Sequence, residues 1–180
     1  MKKIVEGKLH ISFVDEAWEI IKYDDCDAFI KVVQKSDHFK GVDIIGIHNE
    51  KEVILFEIKD YNGYEAEAVD QFNCNLNEMV QPLCQKIKDT IVGSMAIVRD
   101  PSVNDAFWNR LITGIGNANG LKFVFWIDGD LCSVNNGFKR SLILHSLKRR
   151  LGCMGAKIIV TDHKRARFVD LNHNYIYRGV

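Results

Sequence analysis

Two consecutive strand-like segments, "VDIIGIH" and "VILFEIKDY", carry charged residues inside otherwise apolar text. Side chains along a strand alternate between its faces, and both faces of the second segment begin apolar, which is typical of a strand buried on both sides. Glu57 and Lys59 share one face near the end of this strand, and Asp43 lies at the start of the first segment. Buried charges are costly unless they are paired. The two segments therefore predict a buried hairpin with a charged site at one end.

The pairing register of this hairpin follows from its turn and its hydrophobic pattern. A three-residue loop centred on Glu50 places Asp43 opposite Glu57 and Ile44 opposite Phe56. Directly opposed residues have Cβ atoms about 4.5–5.5 Å apart. A slip by one residue would set Asp43 against an apolar side chain, so the hydrophobic pattern favours the same register.

Two opposed carboxylates repel each other, so that one takes up a proton or a cation lies between them. Lys59 supplies one positive charge against the two negative charges of Asp43 and Glu57, which leaves a deficit. A divalent cation would remove the deficit. Ligands that are all oxygen favour Mg²⁺ or Mn²⁺ over zinc.

The rest of the chain alternates between strand and helix patterns. We expect strands at 8–13 and 18–24, paired with each other, with a short helix as the alternative for the second. A helix is expected from Asp24 or Asp25 to about 36, since apolar residues recur there at helical spacing. Further on, the patterns predict helices at 76–98, 105–112 and 138–151 and strands at 121–128 and 156–162. This order predicts one α/β domain over residues 1–180, with a mixed central β-sheet flanked by helices.

Composition excludes several classes of protein. No apolar run approaches the ~20 residues that a membrane span needs, and the start of the chain lacks a signal-peptide core. The five cysteines are scattered without a CxxC pair, which argues against a disulfide framework or a zinc site. No GxxxxGK[ST] motif of a P-loop NTPase occurs. We therefore expect a cytoplasmic protein without a membrane partner.

The formal net charge of zero conceals a division of charge along the chain. Residues 1–90 contain 11 Lys, no Arg and 18 acidic residues, whereas residues 91–180 contain 5 Lys, 8 Arg and 6 acidic residues. Ordinary surface solvation is one explanation. The other is an acidic region that holds cations beside an arginine-bearing region that holds phosphates, which suits a polyanionic substrate.

Asp43 followed after thirteen residues by Glu57-Ile58-Lys59 at the end of a hydrophobic strand resembles the PD-(D/E)XK nuclease superfamily. The resemblance implies a restriction-endonuclease-like core of helix, strands, helix and strand, which matches residues 25 to about 128. The stretches "FKGVDIIGI", "LFEIKDY" and "QKIKDTIVG" resemble a little-described bacterial branch of it. Gly41-Val42 stands before Asp43 where the name-giving motif has proline directly before the aspartate, a common variation.

The resemblance also implies roles for individual residues. Asp43 and Glu57 would bind Mg²⁺ (or Mn²⁺), the backbone carbonyl of Ile58 would complete the metal site, and Lys59 would position or activate the attacking water. Members of the superfamily often add an upstream acidic residue. The candidates here are four carboxylates, namely Glu16, Glu19, Asp24 and Asp25.

The expected function is metal-dependent hydrolysis of phosphodiester bonds in nucleic acid, with DNA preferred because the superfamily mostly cuts DNA. The rival is a non-catalytic binding or assembly component that keeps the fold. A homodimer or a larger assembly stays open. Candidate phosphate contacts are Gln81, Gln85 and Lys88 on the long helix and the basic clusters 148–152 and 163–167, although solvation alone also explains all of them.

Overall fold

A computed structural model of the chain describes most of its residues and all the elements discussed below. The described residues are 2–6, 9–13, 16–36, 38–61, 63–117, 120–128, 137–162 and 176–178. Within them, no helix combines the length and apolar character needed to cross a membrane.

The centre of the fold is a five-stranded mixed sheet in the order β3-β4-β5-β6-β7. Strand β4 is antiparallel to both of its neighbours, β3 and β5, and β6 and β7 continue the sheet parallel to β5. A separate sheet has the order β1-β2-β8. The strands are β1 Lys2–Glu6, β2 Leu9–Phe13, β3 Trp18–Lys22, β4 Ile44–His48, β5 Glu52–Asp60, β6 Leu121–Asp128, β7 Lys157–Thr161 and β8 Ile176–Arg178.

Three α-helices accompany the central sheet: α1 Glu65–Arg99, α2 Ala106–Gly116 and α3 Gly137–Leu151. Asn75 has a non-helical backbone (φ −159°, ψ 88°), so α1 consists of two helices joined at a kink. The part after the kink corresponds to the helix predicted at 76–98. A π-helical turn, Phe29–Val33, occupies the place of the helix predicted after Asp24 or Asp25, and no side chain caps its N-terminus.

The β4–β5 hairpin has the predicted register. Ile44 pairs with Phe56 and His48 with Glu52, which leaves a three-residue loop. Asn49 and Glu50 in this loop have φ values of 49° and 58°. A left-handed conformation of this kind turns the chain back within three residues.

The two faces of the central sheet are buried by different partners. On one face Ile45 and Leu55 belong to a large apolar cluster that includes residues of all three α-helices. On the other face Ile44 and Phe56 pack with residues of β2, where the rings of Phe13 and Phe56 meet edge to face at 6.0 Å. The predicted α/β class and mixed sheet flanked by helices are thus confirmed, with a small sheet on the face opposite the α-helices.

The predicted pairing of the second strand with the first is wrong. Segment 18–22 is a strand, as expected, but it pairs with β4 and not with β2. Trp18 explains this choice, since its ring lies over Gly46, where a Cβ atom would meet the ring at 2.9 Å. The same ring stacks against His48 with a centroid distance of 4.6 Å. Burial of the indole therefore favours β4 as the neighbour of β3.

Gly120, directly before β6, allows a test of how closely the chain packs against the β4–β5 loop. A Cβ atom at Gly120 would collide with the backbone carbonyl of Lys51, and the Gly120 carbonyl accepts a hydrogen bond from Val53 N at 2.8 Å. We expect Gly120→Ala to lower the free energy of unfolding by roughly 1–3 kcal/mol, as overpacking does. Urea unfolding measures the change. Gly116→Ala, at a helical site with open space around it, is the control. Equal stability of the two variants would contradict the prediction.

Candidate functional site

Asp43 lies directly before Ile44, the first residue of β4, where the β4–β5 ladder ends. Its backbone N–H donates to Phe56 O at 3.1 Å, and its carboxylate oxygen Oδ2 accepts from Ile58 N at 2.5 Å. This side-chain hydrogen bond places the carboxylate beside Glu57, which lies between the two residues bound. Asp43 is 5% exposed and Glu57 is 1% exposed. The two carboxylates predicted to face each other are therefore both buried at the same end of the hairpin.

Two lysines accompany these carboxylates. Lys59 Nζ lies 3.1 Å from Glu57 Oε1. Lys86 Nζ, from α1, lies 3.0 Å from Asp43 Oδ1 and 2.9 Å from Glu57 Oε2. The structure thus brings Asp43, Glu57 and Lys59 together as the sequence predicted. It also adds a second positive charge, so the expected deficit of positive charge is wrong.

Lys86 reaches the carboxylates because two hydrogen bonds attach α1 to the chain just before β4. Thr90 Oγ1 accepts from Val42 N at 2.9 Å, and Asp89 Oδ2 accepts from Lys40 N at 3.1 Å. Residues four apart lie on the same face of a helix, one turn from each other. Lys86 therefore comes to lie over the hairpin end when Thr90 is bound to Val42.

The sequence contained a signal for Lys86 that we did not use. Met79 and Leu83 are buried on α1, and steps of three and four residues lead from them through position 86 to the buried Thr90. Lys86 thus occupies a position of the buried stripe of the helix. A lysine in that stripe needs a buried anionic partner, and the carboxylates predicted on the hairpin are such partners.

The charges at the site shift each other's protonation. Burial raises the pKa of Glu57 to about 7, and the nearby Asp43 carboxylate adds to the rise, while Lys86 and Lys59 oppose it. For Lys86, burial alone lowers the pKa, but the carboxylates of Glu57 and Asp43 outweigh burial, so its pKa is raised overall. Near neutral pH the Glu57 carboxyl group therefore exchanges a proton easily, whereas the Lys86 ammonium stays charged.

The oxygen atoms at the hairpin end are a donor set of the kind that Mg²⁺ and Mn²⁺ prefer. Both carboxylate oxygens of Glu57 are buried, and within the described residues neither contact with a lysine has hydrogen-bond geometry. In a strand, the N–H and C=O of one residue point to the same side, so the Ile58 carbonyl faces the side of Asp43. Among the described residues, no group of three or more His, Cys, Asp or Glu side chains is placed to hold a metal ion. The donors available are thus two carboxylates and a carbonyl.

Of the four upstream acidic candidates, Asp24 is the one that interacts with the site. Burial raises its pKa, and the charge of Asp43 is the next largest cause. Asp24 Oδ1 is buried and has no hydrogen-bond partner among the described residues. Glu19 instead forms an ion pair with Arg110, and Asp25 forms one with Lys22. Glu16 is exposed.

A pocket of about 350 Å³ adjoins the site along α1. Its lining consists of Lys40, Glu78, Gln81, Pro82 and Gln85. Pro82 lies one turn before Lys86 on α1, and Gln85 directly precedes Lys86, so the pocket lies along α1 beside this lysine, although the two carboxylates are not in its lining. Two of the predicted phosphate contacts, Gln81 and Gln85, are therefore near the site. Lys88 is exposed and is not part of this lining.

The arginine-bearing half of the chain is only partly described. Arg149 is exposed in the last turn of α3, and Arg150 donates to Asn77 Oδ1 of α1 at 3.0 Å. Cluster 148–152 thus lies at the end of α3 beside α1. The second predicted cluster, 163–167, lies outside the described residues.

Comparison of the chain with protein-family models, with curated proteins and with solved structures finds no match.

The raised pKa of Glu57 predicts a pH dependence of stability. The unfolded carboxyl group releases its proton near pH 4.5 and the folded one near 7, so the folded state binds more protons between these values. The free energy of unfolding should therefore fall as pH rises through this window, by roughly 3 kcal/mol in total. Glu57→Gln should remove this part of the dependence. Urea unfolding of both proteins between pH 4.5 and 8, in EDTA, measures it, and parallel profiles would show that Glu57 is not its source.

Proposed function

We propose that the chain hydrolyses phosphodiester bonds in nucleic acid with the help of Mg²⁺ or Mn²⁺. The observation that carries this proposal is the meeting of two buried carboxylates, Asp43 and Glu57, beside Lys59. Such a pair of acids next to a lysine can hold a divalent ion and leave one cationic group facing the substrate. The pocket along α1, with Lys40, Gln81 and Gln85 in its lining, is the proposed place for the polyanionic chain.

The residues divide the work of the proposed reaction. Asp43, Glu57 and the Ile58 carbonyl would hold the metal ion. When bound, the ion polarises the phosphate and makes a water molecule more acidic. Lys59 is partly exposed, with 38% of its side chain accessible, so its ammonium group can orient the attacking water and offset negative charge on the phosphate. Asp24 is the upstream acidic residue in this proposal.

The proposal places the chain in the PD-(D/E)XK superfamily, with a restriction-endonuclease-like fold. The order of elements supports it, since a π-helical turn, β4, β5, α1, α2 and β6 follow one another between residues 29 and 128. The acidic residues lie at one end of the antiparallel pair β4–β5, and β5 pairs on its other side with the parallel strand β6. The proposed substrate is DNA, on the grounds of this resemblance.

A second candidate function is a non-catalytic binding or assembly component. The observation that favours it is the balance of charge at the site. Lys59 and Lys86 together neutralise Asp43 and Glu57, so the cluster is complete without a metal ion. The cluster would then serve to hold α1 against the hairpin.

A metal response separates the two candidates. Mn²⁺ at 100 times its Kd adds about 2.7 kcal/mol of stability to a protein that binds it in the native state. For a chain of this size that raises Tm by roughly 5–10 °C. We expect this rise in the wild type and its loss in Asp43→Asn, together with a loss of cleavage of about 10²–10³-fold. Differential scanning calorimetry and cleavage of labelled DNA are the measurements.

Glu52→Gln is the matched control for that experiment. Glu52 is a carboxylate at the other end of β5, where it pairs with Lys122. Its variant should keep both the Tm response and the cleavage. No Mn²⁺ response and no cleavage in the wild type would reject the hydrolytic proposal and favour the second candidate.

Contact between α3 and nucleic acid predicts a dependence on salt. If Arg149 binds a phosphate, Arg149→Ala should weaken DNA binding and reduce the slope of log K against log[salt] by about 1. Fluorescence anisotropy with a labelled duplex measures the slope. Lys31→Ala removes a positive charge on the acidic half of the chain, where Lys31 pairs with Asp27, and should leave the slope unchanged. An unchanged slope in Arg149→Ala would show that α3 does not contact the backbone.

A further inference from the structure

Lys86 holds a position that the proposed reaction does not explain. Its ammonium nitrogen lies 3.0 Å from Asp43 Oδ1 and 2.9 Å from Glu57 Oε2, so it bridges the two carboxylates. The side chain is 19% exposed and is thus largely enclosed. The lysine occupies the space between the acids.

A divalent ion and this ammonium group cannot share that space. Mg²⁺ binds oxygen at about 2.0–2.1 Å, so an ion held by Asp43 Oδ1 and Glu57 Oε2 would need the space between these oxygens that the ammonium group occupies. The two cations would also repel each other strongly in a partly buried site. Binding of the metal ion to both carboxylates therefore requires the Lys86 ammonium to leave.

The structure permits this departure without movement of α1. The hydrogen bonds of Thr90 to Val42 and of Asp89 to Lys40 hold the helix backbone in place. The lysine ammonium, in contrast, stands on a flexible four-carbon stem. The pocket along α1 begins within one helical turn of Lys86, at Pro82 and Gln85.

We propose that Lys86 is an internal cation that competes with the divalent metal ion for Asp43 and Glu57. The inference rests on the proposed function, because it concerns the same metal site. With the site empty, Lys86 neutralises the carboxylates. When the metal ion binds, Lys86 is displaced toward the pocket, where its charge meets the phosphate of the substrate. Only molecules in which Lys86 has left the carboxylates bind the ion. The larger the fraction of molecules in which Lys86 contacts them, the lower the apparent metal affinity.

The test is a titration of the wild type and of Lys86→Met with Mn²⁺ alone, measured by isothermal titration calorimetry. If Lys86 occupies the carboxylates in about nine molecules of ten, its removal lowers the apparent Kd about tenfold. Lys88→Met removes the same charge from an exposed position two residues further along α1 and should leave the Kd unchanged. Equal Kd values in Lys86→Met and the wild type would overturn the inference.

Lys86→Met leaves two buried carboxylates with one lysine, which lowers the stability of the metal-free protein. If this variant does not fold without metal, Mn²⁺ should restore its circular dichroism spectrum, because the ion replaces the missing charge. Lys86→Gln, which keeps a polar side chain of similar length, should also bind Mn²⁺ more tightly than the wild type. An unchanged or weaker affinity in Lys86→Gln would overturn the inference even if Lys86→Met cannot be purified.

Parallel cleavage assays separate this inference from the proposed function. Tighter Mn²⁺ binding in the Lys86 variants without DNA cleavage by the wild type would support the competition and reject hydrolysis. Cleavage by the wild type with unchanged Mn²⁺ affinity in the variants would support hydrolysis and reject the competition. The absence of Mn²⁺ binding in all of the proteins would reject both.

Discussion

The register of the β4–β5 hairpin is the constraint on which the rest of the site depends. A three-residue loop with two left-handed residues, Asn49 and Glu50, sets which residues pair. The same register buries apolar side chains on both faces and leaves Asp43 beside Glu57 at the far end. A shift of one residue would turn the carboxylate of Asp43 to the opposite face. The conformation of the loop therefore determines which charged side chains meet at the distant end of the hairpin.

Helix α1 supplies a positive charge that offsets the negative charges of the hairpin end. Two carboxylates facing each other in a buried place would destabilise the fold, and Lys86 offsets them from the neighbouring layer. The hydrogen bond between Thr90 and Val42 joins the same two layers one turn away. Packing of α1 on the sheet and the electrostatic balance of the site thus stabilise each other. A change that loosens the helix exposes the repulsion, and a change that removes the lysine weakens the docking of the helix.

Much of this arrangement is readable in the sequence because it depends on local patterns. The alternation of apolar residues predicted the hairpin, its register and the meeting of Asp43 with Glu57 at its end, and helical spacing predicted the second part of α1. Pairings between distant segments were not readable in this way. Strand β3 pairs with β4 and not, as predicted, with β2, because the ring of Trp18 covers Gly46. Lys86 was missed although it falls on the buried stripe of α1, because its partners lie in another layer of the fold.

The topology also has a consequence for the order in which the site assembles. The β4–β5 hairpin closes a three-residue loop, whereas the contact between Lys86 and Asp43 spans 43 residues of the chain. Contacts between residues near in sequence carry a smaller entropic cost of loop closure than distant ones. We expect Asp43 and Glu57 to meet early in folding, before Lys86 arrives. During that interval Lys59, on the same strand as Glu57, offsets only part of the two like charges, and dissolved cations or protons compensate the rest.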